Sequence, residues 1–159
     1  MTAAELSIWN GSTTMEHFAD IRGVFHAAFP RRSLADHRDV LTRQAAAHGF
    51  MACVASVGGQ VVAVAYGVPL QLGTVWWRDL EAHLSADFVW EDGLRTFAVL
   101  EVFVAPAFPP ALGGQLLRSL LRQRRERRAT TRSPAAVGSL PWRSCGTAET
   151  QMWVLALPL

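Results

Sequence analysis

The stretch RTFAVLEVFVAP, residues 95–106, contains a single carboxylate, Glu101, within a run over residues 96–105 that is otherwise almost wholly apolar. An apolar run of this length indicates a central strand that other layers cover on both faces. A buried carboxylate is costly unless it is paired or has a function. Glu101 is therefore either a catalytic group or half of a structural ion pair, for which Arg95 and Arg143 are the candidate partners.

The segments before this strand predict strands and helices in succession. Residues 6–9 predict a first strand, and a capping-box pattern at residues 13–16 opens a first helix that Pro30 stops. A second helix begins with a cap at residues 33–36 and ends at Gly49. Its predicted buried face has apolar residues at helical spacing, with a histidine as its last member: Leu34, Leu41, Ala45 and His48.

A hairpin and an aromatic insertion separate these helices from the central strand. Residues 50–57 and 60–68 predict two valine-rich strands joined by Gly58-Gly59, which excludes a membrane helix for the uncharged segment. Residues 69–94 predict a short helix and a loop. Past the central strand come a third helix with a leucine stripe over 112–121, a short strand, and a last strand over 151–157.

Together these elements predict an α/β fold in which a mixed sheet carries helices on both faces. The chain of 159 residues is half hydrophobic, which suits one packed core, so residues 1–159 are predicted to form a single domain. The net charge of +2 excludes a surface that is basic throughout. All cations are arginine, which excludes a Schiff-base or P-loop lysine.

The cysteines and histidines offer no framework for disulfides or metals. Cys53 and Cys145 lie far apart, and the five histidines show no metal-ligand spacing, so no metal site is predicted. The start lacks the pattern of a secretory signal, and a reducing cytoplasm is expected. The composition is typical of a GC-rich bacterial coding sequence.

The element order, the strand over 95–106 and three short motifs resemble the GNAT N-acetyltransferase superfamily, in particular actinobacterial members. The motifs are YGVPL at 66–70 followed by Trp76-Trp77, PWRSCG at 141–146 and VLALPL at 154–159. The resemblance spans nearly the whole chain. It implies the GNAT fold and transfer of an acyl group from a pantetheine thioester to the amine of a small molecule, as in specialised metabolite biosynthesis.

The resemblance also implies roles for particular residues. Glu101 would be the general base, and the acyl donor would be acyl-CoA or an acyl group on a phosphopantetheine arm. The donor side would comprise the strand backbone and the start of the third helix: Phe103, Val104, Ala105, Leu112, Gly113, Gly114 and Gln115. The acceptor side would comprise Tyr66, Trp76 and Trp77. The glycine pair also suits a plain turn, and the aromatic residues also suit packing under a lid.

The sequence departs from the family pattern where the pyrophosphate of CoA is held. When the family's Arg/Gln-x-x-Gly-x-Gly/Ala loop is aligned with this chain, only Gly114 matches, at the second glycine. Pro109 takes the Arg/Gln position and Leu112 that of the first glycine. Pro109 and Pro110 also lack the N–H groups that such a loop supplies. The position of the usual tyrosine acid falls near Val137, and Cys145 is the alternative proton donor.

Seven arginines crowd the third helix and its predicted continuation, the basic helix over 118–132, at residues 118, 122, 124, 125, 127, 128 and 132. Such a run is either a solvated helix face or a docking surface for an acidic macromolecule. An acyl carrier protein or an aminoacyl-tRNA would suit the second interpretation. A catalytically inactive GNAT-fold scaffold remains the alternative to an enzyme, and the resemblance also allows a homodimer.

Overall fold

The computed structural model describes residues 3–138 and 140–159, and its strands form one seven-stranded sheet. The strands in chain order are β1 (Glu5–Trp9), β2 (Met51–Val57), β3 (Gln60–Pro69), β4 (Thr96–Val104), β5 (Arg128–Thr131), β6 (Arg143–Ser144) and β7 (Trp153–Ala156). Their spatial order is β1-β2-β3-β4-β5-β7-β6. The β4–β5 pair is parallel and every other pair is antiparallel.

Helices cover both faces of the sheet, as the sequence predicts. They are α1 (Gly11–Glu16), α2 (Phe18–Ala28), α3 (Leu34–Ala45), α4 (Ala86–Val89), α5 (Ala111–Arg122) and α6 (Pro134–Val137). Helix α5 packs its leucines on one face of the central strands, and α2 and α3 cover the other face. Side chains alternate between the faces of a strand, so Ala63 and Ala65 contact the α5 side while Val64 and Tyr66 contact the α2 side.

The first predicted helix begins earlier than the sequence suggested and is divided into two helices at His17. The Asn10 side chain accepts a hydrogen bond from the Thr13 N–H at 2.8 Å, and α1 ends at His17 before α2 begins. The predicted buried face of α3 is also shifted. His48 is exposed beyond the end of α3, whereas His37 lies buried on the helix.

The aromatic insertion contains a 3-10 turn at Arg78–Leu80 and α4, and a buried polar network ties it to the sheet. Glu91 Oε2 accepts hydrogen bonds from the Trp77 indole at 2.8 Å, the Thr96 hydroxyl at 2.9 Å and the Arg128 guanidinium at 3.0 Å. Burial lowers the pKa of Arg128, and its hydrogen bond to Glu91 opposes that shift. The network fixes the insertion where β4 and β5 begin.

No helix in the described part of the chain has both the length and the apolar character needed to span a bilayer.

Candidate active site

The central parallel strands pair over only half of β4. The β4–β5 register runs from Thr96↔Arg128 to Val99↔Thr131, where β5 ends, while β4 continues to Val104. On its other edge, β4 stays paired with β3 up to Val104↔Ala63. The second half of β4 therefore has an edge that faces an opening instead of a strand. We call this opening the slot.

A bulge in β4 lies where the slot begins. Tyr66 pairs with Glu101 and Gly67 with Val99, so Leu100 is the extra residue. Beyond the bulge, the Ala105 N–H donates to the Val62 carbonyl on the β3 side at 2.8 Å. Peptide groups alternate in direction along a strand, which turns those of Val102 and Val104 toward the slot.

An apolar cavity of about 360 Å³ lies along the slot. Its lining contains no charged side chain and comes from the second half of β4, the loop after it, α2, α5 and α6: Ala28, Phe29, Val102, Phe103, Val104, Ala105, Pro106, Phe108, Pro110, Gly113 and Ala135. The predicted donor residues Phe103, Val104, Ala105 and Gly113 therefore lie together. Val102 is an addition that only the bulge reveals.

The start of α5 supplies fewer free backbone donors than the resemblance implies. The Leu112 N–H donates to the Pro109 carbonyl and the Gly113 N–H to the Pro110 carbonyl, each at 3.0 Å. Leu112 is buried in the core, and neither Gly114 nor Gln115 lines the apolar cavity. Gly113 has a packing role as well, because a Cβ there would lie 3.1 Å from a Val102 methyl group.

A second cavity, of about 410 Å³, is lined by charged and polar side chains as well as apolar ones. We call it the polar cavity. It is lined by residues of α2, α3, β3, β4 and the loops around them: Phe25, Arg32, Ser33, Asp36, His37, Val40, Gln44, Tyr66, Trp76, Leu100, Glu101 and Arg132. Neighbouring residues of β4 line the two cavities, Glu101 the polar cavity and Val102 the apolar one.

Glu101 is paired with Arg32, which the sequence did not predict. The Arg32 Nη2 donates to Glu101 Oε1 at 3.1 Å, and the Arg32 guanidinium lies 4.8 Å from the ring centres of both Phe25 and Phe29. The Glu101 side chain keeps 22% of its surface exposed, so it is accessible from the polar cavity.

The expected ion-pair partners of Glu101 lie elsewhere, which corrects that part of the sequence interpretation. Arg95 donates to main-chain carbonyls of the aromatic insertion, among them Trp90 at 2.8 Å. Arg143 lies exposed in β6, the short edge strand of the sheet.

His37 supplies a neutral polar surface to the polar cavity. Its ring stacks on Phe25 with a centroid distance of 3.7 Å, and its residue surface is 6% exposed. Burial, with a smaller contribution from the Arg32 charge, lowers the pKa of His37 from 6.5 to about 4. His37 Nδ1 and Nε2 and Gln44 Oε1 are buried without a hydrogen-bond partner among the described residues.

The structure separates the residues predicted for the acceptor side. Tyr66 and Trp76 line the polar cavity, and the Trp76 indole donates to the Thr130 hydroxyl at 3.3 Å. Burial raises the pKa of the Tyr66 hydroxyl. Trp77 does not line the cavity, because its buried ring belongs to the Glu91 network. Cys145 lines neither cavity and packs with the insertion.

The prediction of one basic helix is wrong for the residues after Arg122. Helix α5 ends at Arg122, and Arg128 begins β5. Arg124 lies 2.7 Å from the buried Glu126 carboxylate, and its guanidinium lies 4.3 Å from the ring centre of Phe97. The run is therefore divided between buried ion pairs and the surface. Arg122, Arg125 and Arg127 are exposed.

The overall fold matches that of solved acetyltransferases. A GNAT family acetyltransferase from Brucella melitensis in complex with acetyl-CoA aligns with a TM-score of 0.63 and 21% identity over 98% of this chain and 90% of its own. Aminoglycoside 6'-acetyltransferase type Ii aligns with a TM-score of 0.68 and 9% identity over 98% and 99%. A ribosomal-protein-S18-alanine N-acetyltransferase from Escherichia coli aligns with a TM-score of 0.63 and 12% identity, over 99% of this chain and 96% of its own.

These overlaps show that the chain has the GNAT acetyltransferase fold, which confirms the fold predicted from the sequence. No protein-family model and no curated protein sequence matches the chain.

Proposed function

We propose that residues 1–159 form a single-domain GNAT-type N-acyltransferase that moves an acyl group from a pantetheine thioester to an amine. The observation that carries this proposal is the slot beside the second half of β4, with an apolar cavity along it and Glu101 in the polar cavity. A tethered thioester and an amine that entered from opposite sides would meet at Glu101 and Val102.

The donor arm is proposed to lie along β4 as an added strand. The Val102 carbonyl and the Val104 peptide groups offer hydrogen bonds to the amides of pantetheine, in the manner of strand addition at a sheet edge. The apolar lining, including Phe29 and Phe108, suits the methylene and dimethyl groups of the arm.

The chemistry is nucleophilic attack of the amine nitrogen on the thioester carbonyl carbon. Glu101 accepts the proton that the nitrogen loses, directly or through a water molecule. The Val102 N–H, which the bulge turns toward the slot, stabilises the oxyanion of the tetrahedral intermediate. The carbon–sulfur bond then breaks, and the thiolate takes up, through water, the proton that Glu101 accepted, so that the products are an amide and a thiol.

Thiol release tests this function directly. The purified protein is incubated with acetyl-CoA or an acetylated carrier protein and a panel of primary amines, and the thiol and the N-acyl product are measured. Glu101→Gln is expected to lower kcat by about a hundredfold or more while the thermal unfolding midpoint stays unchanged. Glu81→Gln, an exposed carboxylate outside both cavities, serves as the matched control. Absence of transfer from either donor to any amine would favour the inactive scaffold.

The start of α5 favours a donor that carries less phosphate than CoA. A phosphopantetheine arm presents one phosphodiester, so it requires fewer of the backbone donors that Pro109 and Pro110 lack. An acidic carrier protein would contact the exposed arginines near the end of α5. Combined replacement of Arg122 and Arg125 by Gln is then expected to slow transfer from the carrier protein and to leave transfer from acetyl-CoA unchanged. Equal effects on both donors would contradict a carrier-protein contact.

A further inference from the structure

The charges around the polar cavity nearly cancel. Arg32 and Arg132 provide two cations, Asp36 and Glu101 provide two carboxylates, and His37 is neutral near pH 7. Outside the lining, Asp79 lies 3.8 Å from Arg132 and adds one carboxylate. A polycationic acceptor requires an excess of carboxylates, because each added positive charge must be compensated when it leaves water. The cavity therefore favours a ligand with little net charge.

The Arg32–Glu101 pair is the only ion pair among the described residues in which both members line this cavity. Arg32 donates to Glu101 at 3.1 Å while stacked over two phenylalanine rings, and its side chain is 49% exposed. Guanidinium has five N–H donors, so Arg32 retains donors for a second carboxylate. A molecule with adjacent positive and negative groups can insert between the two partners and leave each charge compensated.

Two residues that line the cavity also carry buried polar atoms. His37 is more than nine-tenths buried, and both of its ring nitrogens lack a partner among the described residues, as does Gln44 Oε1. These atoms have almost no accessible surface, so they make this wall polar without offering a ready contact to a ligand.

We propose that the acceptor is an amino acid, whose amine meets Glu101 and whose carboxylate meets Arg32. This inference rests on the proposed acyl transfer and names its substrate class. The α-amine and α-carboxylate of an amino acid are separated by one carbon, which suits the short distance between the two protein charges. The planar guanidinium matches a carboxylate in a two-bond geometry. The side chain of the acceptor then lies against Val40, Leu100 and Trp76.

A matched acceptor series tests the inference, with the donor that supports thiol release above. L-phenylalanine, L-phenylalaninamide and phenethylamine share the amine and the side chain and differ only at the carboxylate. The kcat/KM for the acid is expected to exceed that for the amide and the plain amine by about tenfold or more. The amine of the amide is the weakest base of the three, so a larger share of it is unprotonated and reactive at neutral pH. A preference for the acid therefore cannot arise from amine protonation. L-leucine, L-leucinamide and isopentylamine extend the comparison to an aliphatic side chain.

Replacements of arginine separate recognition from folding. The measured quantity is kcat/KM for the amino acid divided by kcat/KM for its amide. Arg32→Gln is expected to lower this ratio to about one, and Arg32→Lys to keep part of the preference for the acid. Arg38→Gln is expected to leave the ratio unchanged, since Arg38 lies on α3 outside this cavity. The ratio is insensitive to a loss of folded protein, which lowers both rates together. Equal rates for acids and amides would overturn the amino acid assignment while the acyl transfer stands. Loss of transfer with every amine would instead refute the proposed function.

Discussion

The protonation of His37 should make the protein unstable in mild acid. The folded chain holds the pKa of His37 at about 4, whereas the unfolded chain has the ordinary value of 6.5. The unfolded state therefore takes up a proton as the pH falls through 6.5, and the folded state resists until about pH 4. Stability is full above the unfolded pKa and falls across this window, by about 3 kcal/mol for a shift of this size.

Urea unfolding at several pH values between 7.5 and 4 measures this effect. His37→Phe keeps an aromatic ring that can stack on Phe25 and removes the titrating group, so the stability advantage of the variant over the wild type should grow by about 3 kcal/mol on acidification. His83→Phe, at an exposed histidine, should run parallel to the wild type. The reasoning is refuted if His37→Phe also runs parallel. NMR titration of the histidine ring protons provides an independent measurement of the His37 pKa.

Three further changes test the framework of the site. Gly67→Ala should destabilise the protein by several kcal/mol, because the added Cβ overlaps the Ala98 carbonyl oxygen at the bulge. Gly23→Ala, in an open helical position of α2, should stabilise it by about 0.5–1 kcal/mol, and chemical denaturation compares the two. Glu91→Gln should cost about 3 kcal/mol or more, since it leaves the buried Arg128 charge without its carboxylate. A change below 1 kcal/mol in thermal or urea unfolding would show that water compensates this charge.

The sheet could be predicted because its signal is local. Apolar runs broken by Gly58-Gly59 and by polar turns define β2, β3 and β4, and the leucine stripe defines the start of α5. The end of α5 could not be predicted in the same way. Arginine is a good helix former, so nothing in the local sequence indicates that Arg124 pairs with Glu126 and Arg128 with Glu91 in the fold.

Within the candidate site, the residues that lie on β4 were the ones that the sequence predicted best. Glu101 stands out as the one charge in an apolar run, and the strand carries Phe103, Val104 and Ala105 to the slot with it. Arg32 lies in a loop between helices, where an exposed arginine has no local signal. His37 shares the buried face of α3 with Leu41 and Ala45, and helical spacing could have found it. Its contact with the cavity is a tertiary property.

The bulge at Leu100 has a consequence for how such a protein can diverge. Hydrogen bonds from peptide groups to a donor depend on the backbone conformation and not on the side chains. No substitution removes a backbone N–H unless it introduces proline. Side chains along β4 are then free to change as long as they remain apolar and of similar size. The proposed donor contacts would then survive changes in these side chains as long as the course of the backbone is kept.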